Sequence, residues 1–176
     1  MKISLQRIAG TTAILLLMGV CIWVSFNYLV WFLPAQPATR DIALADLDGD
    51  GDLDGFLANG RNELPEPNTV LLNDGKGNFQ DSGQRLGDFE SWAVALHDFD
   101  GDGDMDAFIG GKKEGRIWLN DGDGKFKPTG QRLTYSRYHA AGVGDVDRNG
   151  TVDLIAARLD TATVWYNDGT GRMEYR

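Results

Sequence analysis

The chain repeats a short acidic segment three times, and this repetition constrains its fold more than any other feature. A nine-residue segment starting at Asp46 recurs at Asp98 and Asp145, and its first two copies read Asp-x-Asp-Gly-Asp-Gly-Asp-x-Asp. A second segment, Asn-Asp-Gly-x-Gly, follows each copy with a period of about 47 residues. It begins at Asn73, Asn120 and Asn167. A third, Gly-Gln-Arg-Leu, starts at Gly83 and Gly130, between the repeated units. The chain is therefore expected to build one supersecondary unit three times.

Each repeat contains short apolar runs separated by turn residues, which is typical of β-strands. In the second repeat such runs cover 93–97, 107–109 and 117–119, and Phe126 lies in a fourth. Four strands in a unit of this length are typical of a propeller blade. The sequence predicts an all-β fold in which three four-stranded propeller-type blades form a partial or open β-propeller. The repeat domain is expected over 38–176, with blades at about 40–87, 88–134 and 135–176.

The acidic segments have the alternating carboxylates of a calcium-binding loop. Alternation lets a short loop turn several oxygen ligands onto one cation, and the glycine at the sixth position permits the sharp bend. The first, third, fifth and ninth side chains are predicted to bind the metal, and the seventh residue to offer its backbone carbonyl. These residues are Asp46, Asp48, Asp50, Asp52 and Asp54; Asp98, Asp100, Asp102, Asp104 and Asp106; and Asp145, Asp147, Asn149, Thr151 and Asp153. Up to three Ca²⁺ ions are expected, the third being the weakest because its loop has fewer carboxylates.

Two other interpretations of these loops are less consistent with the residues. An EF-hand loop needs a glutamate at its twelfth position, where this chain has Leu57, Ile109 and Ala156. Simple solvated turns would not need three copies in phase, each ending in an aspartate that precedes a strand. Clustered like charges without a counter-ion would also repel one another and destabilise the fold.

These motifs resemble the FG-GAP/VCBS repeats, the calcium-binding blades also found in the propellers of integrin α-subunits. The resemblance covers about 40–176 and implies that each acidic loop joins the first and second strands of a blade. It also implies that ligands are bound at the opposite end of the blades. The residues expected there are Arg61, Asn62, Glu63, Glu66, Phe89, Glu90, Trp92, Lys112, Lys113, Glu114, Tyr135, Arg137, Tyr138 and His139. The alternative for Trp92 and Tyr138 is packing between blades.

The number of blades departs from the family pattern. Closed propellers of this family usually have seven blades, and this sequence has three repeats. Three arrangements fit: a piece of a longer propeller, two self-associated chains that together supply six blades, and an open arc. An open arc would leave sheet edges unpaired, which favours aggregation.

The N-terminal segment differs from the rest of the chain. No side chain from 8 to 33 is charged, and most are apolar. As a helix this run would be about 39 Å long, enough to cross a hydrocarbon core of about 30 Å. Lys2 and Arg7 precede it, which favours a cytoplasmic N-terminus. Residues 1–37 are therefore predicted to form a signal anchor, a single-pass transmembrane helix with a short linker, that places the repeat domain outside. Signal cleavage followed by secretion is the alternative.

Charge and composition narrow the function. The chain has 26 acidic and 17 basic residues, and every acidic one follows the apolar segment. This balance excludes nucleic acid as an expected partner, since phosphate binding needs a positive surface. Cys21 is the single cysteine, so no intramolecular disulfide can form.

The expected function is a membrane-anchored calcium-binding module for adhesion or for protein or carbohydrate interaction, with calcium in a structural role. Enzymatic activity is not expected, because His97 and His139 are the only histidines and no Gly-x-Ser-x-Gly nucleophile motif occurs. The scaffold of a polysaccharide-acting enzyme is the alternative.

Overall fold

The computed structural model describes residues 13–17, 20–24, 38–61, 64–134 and 137–176, and the chain divides into two compact units, Met1–Gln36 and Pro37–Arg176. In the first unit, strands β1 (Ala13–Leu17) and β2 (Val20–Val24) pair antiparallel, with Ala13 opposite Val24. The described residues contain no helix that is long and apolar enough to cross a membrane.

This hairpin differs from the transmembrane helix that the sequence predicted across 8–33. The run is rich in leucine, isoleucine, valine and tryptophan, which occupy strands as readily as buried helices. An apolar run without a polar face has no periodicity that separates the two structures. The remaining residues of the predicted helix and its linker lie outside the described ranges.

The second unit consists of three antiparallel sheets, which confirms the predicted all-β repeat architecture. The strands of the first blade are β3 (Thr39–Ala45), β4 (Asp54–Arg61), β5 (Leu64–Pro65), β6 (Thr69–Asn73) and β7 (Phe79–Asp81). Those of the second are β8 (Ser91–His97), β9 (Asp106–Gly111), β10 (Gly115–Asn120) and β11 (Phe126–Pro128). Those of the third are β12 (Ala140–Gly144), β13 (Asp153–Ala157), β14 (Ala162–Asn167) and β15 (Met173–Tyr175). Each blade is a four-stranded meander in sequence order, and in the part of the chain that the structure describes the short β5 adds to β4 in the first blade only.

The blades pack face to face and enclose two apolar cores. The first core, between the first and second blades, contains Leu47, Phe56, Ala58, Val70, Val94, Ile109, Trp118 and Phe126. The second core, between the second and third blades, contains Phe99, Phe108, Ile117, Tyr138, Leu154, Trp165 and Met173. Because alternate side chains of a strand point to opposite faces, β9 contributes Ile109 to one core and Phe108 to the other. The central blade is therefore covered on both faces.

The topology places all three acidic loops at one end of the blades. Each loop leads from the first strand of its sheet to the second, as the family resemblance implied. The turn from the second strand to the third, such as the one between Gly111 and Gly115, lies at the other end. The two ends of the sheets therefore carry different sets of side chains.

Candidate metal centres

Each acidic loop brings three carboxylates together. Within each group, one oxygen of every residue lies within 4.8 Å of the others. The groups are Asp46, Asp48 and Asp50; Asp98, Asp100 and Asp106; and Asp145, Asp147 and Asp153. Oxygens bound to one calcium ion at about 2.3–2.6 Å lie no more than about 5.2 Å apart. The three groups therefore have the chemistry and the spacing of single-cation sites.

The loops are held in shape by bonds between their own amides and carboxylates. In the second loop, the backbone amide of Gly101 donates to Asp98 Oδ1 at 2.7 Å, and that of Gly103 to Asp98 Oδ2 at 2.9 Å. The amide of Asp104 donates to Asp102 Oδ1 at 2.9 Å. The first loop has the same bonds at equivalent positions. The loop backbone thus curls around its first carboxylate.

The ninth residue of each loop anchors the loop to the sheet. Asp106 is fully buried and accepts hydrogen bonds from the amides of Phe99 and Asn120, both at 2.8 Å. Asp54 and Asp153 are equally buried and accept the equivalent pairs of bonds. Each carboxylate oxygen still has a second lone pair. The same residue can therefore brace the loop and contribute an oxygen to a cation.

Electrostatics in the second loop favour a bound cation. Burial raises the pKa of Asp106 to about 6, against the lowering effect of its hydrogen bonds to Asn120 and Phe99. Burial also raises the pKa of Asp100, and the negative charge of Asp102 adds to this effect. These shifts reflect carboxylates that are costly to ionise together. A divalent cation at their centre would remove that cost.

The side chain of the seventh residue of each loop lies close to the Asn-Asp-Gly turn. A Cβ atom built on Gly122 would lie 2.7 Å from Asp104 Oδ2, and the first repeat has the same close approach between Gly75 and Asp52. In the third loop, the Thr151 hydroxyl donates to the Asn167 carbonyl at 2.9 Å. A metal-binding role for the seventh position through its carbonyl stays a prediction. So do the ligand roles of Asp54, Asp102 and Asn149, which are outside the three groups.

The third loop has a strained residue that the other two lack. Arg148 occupies the fourth position with a φ of 62°, where Gly49 and Gly101 have φ values of 78° and 81°. Glycine adopts this left-handed conformation without steric cost, whereas a residue with a Cβ does not. Backbone strain at Arg148 is therefore a second reason, besides the smaller number of carboxylates, to expect the third loop to bind calcium most weakly.

The asparagine of each Asn-Asp-Gly segment has a role that the sequence did not predict. Asn120 Nδ2 donates to the Leu47 carbonyl of the preceding blade's acidic loop at 2.8 Å. Asn167 Nδ2 donates in the same way to the Phe99 carbonyl at 2.8 Å. The sequence analysis predicted only a hairpin turn here. These side chains also join each acidic loop to the next blade.

A second unpredicted tie comes from the Gly-Gln-Arg-Leu segments between blades. Gln84 Oε1 accepts a hydrogen bond from the Phe126 amide at 2.9 Å, and its Nε2 donates to the Gly124 carbonyl at 2.6 Å. Gln131 Oε1 accepts from the Met173 amide at 2.9 Å. Each glutamine therefore fastens the outermost strand of the following blade. The in-phase repetition of the segment was the sequence signal for this role.

The opposite end of the blades carries a charged cavity of about 440 Å³ between the first and second blades. Glu114 in its lining pairs with Arg116 and with Arg132, the latter at 3.3 Å. The Arg116 guanidinium lies 4.8 Å above the centroid of the Phe89 ring. The lining residues are Pro65, Asp88, Phe89, Glu90, Lys112, Lys113, Glu114, Arg116 and Arg132.

Several residues predicted for the ligand-binding end belong to this cavity and others do not. Phe89, Glu90, Lys112, Lys113 and Glu114 line it, but Asp88, Arg116 and Arg132 were not predicted.

Tyr138 is fully buried, with its ring centroid 5.8 Å from that of Phe108, so the alternative of packing between blades is confirmed for this residue. The ring centroids of Trp92 and His139 lie 4.6 Å apart. Asn62, Glu63 and Tyr135 lie outside the described residues, as does the side chain of Arg61.

Comparison with known proteins identifies the repeat. The model of the FG-GAP-like repeat matches residues 46–109 and 98–156. The chain belongs to the FG-GAP-like repeat family. This confirms the resemblance found in the acidic loops. No curated protein sequence matches the chain significantly.

Two solved structures resemble this FG-GAP-like protein. An Agrocybe aegerita lectin, described as specifically recognising non-reducing terminal N-acetylglucosamine, is 26% identical with a TM-score of 0.51. The match covers 76% of this chain and 36% of the lectin chain. The Photorhabdus luminescens Tc holotoxin pore is 16% identical with a TM-score of 0.36, over 89% of this chain and 10% of that one. Of these two matches, the one to the lectin has the higher TM-score and sequence identity.

Proposed function

We propose that this chain is a membrane-anchored extracytoplasmic module that binds carbohydrate without catalysing a reaction, and that calcium stabilises its blades. The observation that carries this proposal is the division between the two ends of the blades. Carboxylate groups suited to cations repeat at one end, and a cavity lined mainly by charged side chains lies at the other.

Calcium is the cation that these residues fit best. All the clustered side chains offer hard oxygen ligands, and no cysteine or histidine belongs to any group found among the described residues. Calcium takes 6–8 oxygens with flexible geometry, and extracellular modules commonly bind it at about 10⁻⁴–10⁻³ M. When bound, the ion supplies positive charge; Asp98, Asp100 and Asp106 would hold it in the second loop. The aspartate at position one also accepts hydrogen bonds from amides of its own loop, and the aspartate at position nine accepts one from the third strand.

Carbohydrate is the ligand class that the cavity fits best. Its volume lies within the range of about 300–1,000 Å³ typical of small-molecule sites. Paired arginine and glutamate side chains offer donors and acceptors in fixed directions, which suits hydroxyl groups. The similarity to a lectin supports the same ligand class. Arg132 and Glu114 would make the polar contacts, with Arg116 holding Glu114 in place.

The anchoring part of the proposal relies on the length and the uncharged, mostly apolar composition of the run from 8 to 33, and not on the helix that the sequence predicted there. An alkaline phosphatase fused after Thr39 is expected to be active and to fractionate with membranes. Activity in the soluble fraction alone would indicate the secreted form instead.

The carbohydrate proposal is tested with the full chain in mild detergent and calcium, using an immobilised oligosaccharide that ends in N-acetylglucosamine. Arg132→Ala is expected to weaken binding by about tenfold or more, since it removes a charged donor worth at least about 1.4 kcal/mol. Arg85→Ala is the matched control, because Arg85 occupies the equivalent position in the preceding Gly-Gln-Arg-Leu segment but pairs with Asp81. Equal binding by both variants would reject the cavity as the site. Release of new reducing ends would favour the enzyme alternative.

A further inference from the structure

We propose that two copies of this chain assemble head to tail. The exposed face of the third blade in each copy packs on the exposed face of the first blade in the other, and the six blades close into a ring. This assembly is independent of the carbohydrate proposal. The argument is that the molecule already makes the required interface twice, between its own neighbouring blades.

The first half of the interface is the face that each blade turns toward the blade after it. Leu47 and Phe56 occupy this face in the first blade, and Phe99 and Phe108 occupy it in the second; each is at most 1% exposed. The repeat places Val146 and Ile155 at the equivalent positions of the third blade, where they are 44% and 38% exposed. The third blade thus presents the same apolar positions, and here they are exposed instead of buried.

The other half of the interface is the face that each blade turns toward the blade before it. Val94, Leu96 and Phe126 form it in the second blade and belong to the first core or pack against it. Their equivalents in the first blade are Ile42, Leu44 and Phe79, which are 56%, 58% and 50% exposed. A surface with this many neighbouring exposed apolar side chains is typical of an interaction site.

The polar ties across the internal interfaces have matching halves on the two exposed faces. Asn120 and Asn167 each donate to a loop carbonyl of the preceding blade, that of Leu47 and of Phe99 respectively. Asn73, the equivalent in the first blade, donates to Leu53 of its own blade at 3.1 Å. Val146 is the third-blade equivalent of Leu47 and Phe99. Asn73 of one copy and the Val146 carbonyl of the other would complete the tie.

A second copy is the occupant that supplies both halves at once. The contact joins two different faces, so a pair of copies makes it twice and leaves neither face open. Propellers commonly close with about 4–8 blades, and two copies provide six. The internal interfaces also define the side-chain pairing. Phe56 and Phe126 make an edge-on contact with ring centroids 5.1 Å apart, and Ile155 of one copy and Phe79 of the other would take their places.

The test uses full-length copies with two different affinity tags, purified in mild detergent with calcium. The unmodified copies are expected to co-purify. Phe79→Glu alone or Ile155→Lys alone is expected to reduce co-purification by about tenfold or more, since each places an unpaired charge in an apolar contact. Mixing the two variants is expected to restore it, because one interface then pairs Glu with Lys and the other is unmodified. This complementation arises only from a head-to-tail contact between these two faces.

Two controls make the outcomes decisive. Leu159→Glu changes an apolar residue that is 77% exposed in the turn after β13, and is expected to leave co-purification unchanged. The far-ultraviolet circular dichroism of the Phe79 and Ile155 variants is expected to match that of the unmodified chain. Co-purification that both substitutions leave unchanged would assign association to another part of the chain. That result, failure to complement, or monomers of unmodified chain would overturn the proposal. None of these outcomes depends on carbohydrate binding.

Discussion

The two ends of the blades differ in how faithfully they repeat. At the loop end, the buried ninth aspartate accepts the same two amide hydrogen bonds in every blade, at 2.8–2.9 Å. At the opposite end, β5 has no equivalent in the described residues of the other two blades, and the charged cavity lies between the first and second blades. Repetition at one end and divergence at the other support the proposed division, in which the loops stabilise the blades and the cavity binds the ligand.

The largest difference between the two ends is expected when one buried aspartate of the loop end is removed. Asp106→Ala leaves the amides of Phe99 and Asn120 without their acceptor, and is expected to lower the free energy of unfolding by about 3 kcal/mol or more. The measurement is urea unfolding in calcium, followed by tryptophan fluorescence. Asp88→Ala, at an 86% exposed side chain of the cavity end, is expected to have an effect below about 1 kcal/mol. Similar losses in both variants would remove the distinction between the ends.

Removal of calcium is expected to have the next largest effect. A site filled at one hundred times its dissociation constant contributes about 2.7 kcal/mol to stability. Asp100→Ala is expected to remove the contribution of the second site, because Asp100 belongs to the second carboxylate group. The melting temperature of this variant should therefore rise less on addition of calcium than that of the unmodified chain. Asp123→Ala, at an exposed carboxylate of the neighbouring turn, is the control and should keep the full rise. An Asp100 variant with an unchanged response to calcium and chelator would contradict the second site.

The inter-blade asparagines allow the comparison to be sharpened within one motif. Asn120→Ala is expected to lower the free energy of unfolding by about 1–3 kcal/mol, because it leaves the Leu47 carbonyl of another blade without its donor. Asn73→Ala removes bonds only within its own blade, to the Leu53 carbonyl and from the Gly77 amide, and a smaller loss is expected. Urea unfolding of the two variants side by side gives the difference. A larger loss at Asn73 would show that the tie between blades is unimportant.

The smallest expected effect lies in the third loop, where the loop end repeats least faithfully. Arg148→Gly is expected to raise the free energy of unfolding by about 0.5–1 kcal/mol, as it relieves the left-handed backbone at φ 62°. Arg148→Ala keeps the Cβ atom and should give no comparable gain. Thermal unfolding of both variants in calcium distinguishes them. Equal stabilities would exclude backbone strain as a cause of weakness in this loop.

The features that the sequence predicted correctly are local. The acidic loops are contained within nine residues, and the strands on either side carry their own apolar pattern, so Asp98 and Asp106 could be assigned to one loop without knowledge of the fold. The order of the strands in each repeat was derived from the same runs, and the family resemblance agreed with it. The exception is the hairpin of β1 and β2, whose uniformly apolar residues were predicted as helix.

The features that the sequence did not predict depend on how blades dock. The Asn120 side chain bonds to a carbonyl 73 residues away, and Gln84 to an amide 42 residues away. Such partners become neighbours only when two sheets pack against each other. The cavity is similar, since Pro65 and Arg132 come together there from different blades. A polar residue that recurs in phase in a connecting segment is therefore a sequence signal for a contact between neighbouring blades.

The glutamine ties also bear on how such a chain can lengthen during evolution. Gln84 and Gln131 each precede by 42 residues the strand that they fasten. A duplicated segment would therefore carry the side chain that secures its successor, together with an asparagine that joins the loop of its predecessor. A new copy could enter the array without compensating substitutions elsewhere. Blade number in such a protein is thus free to change by whole units through unequal recombination, before selection acts on any single residue.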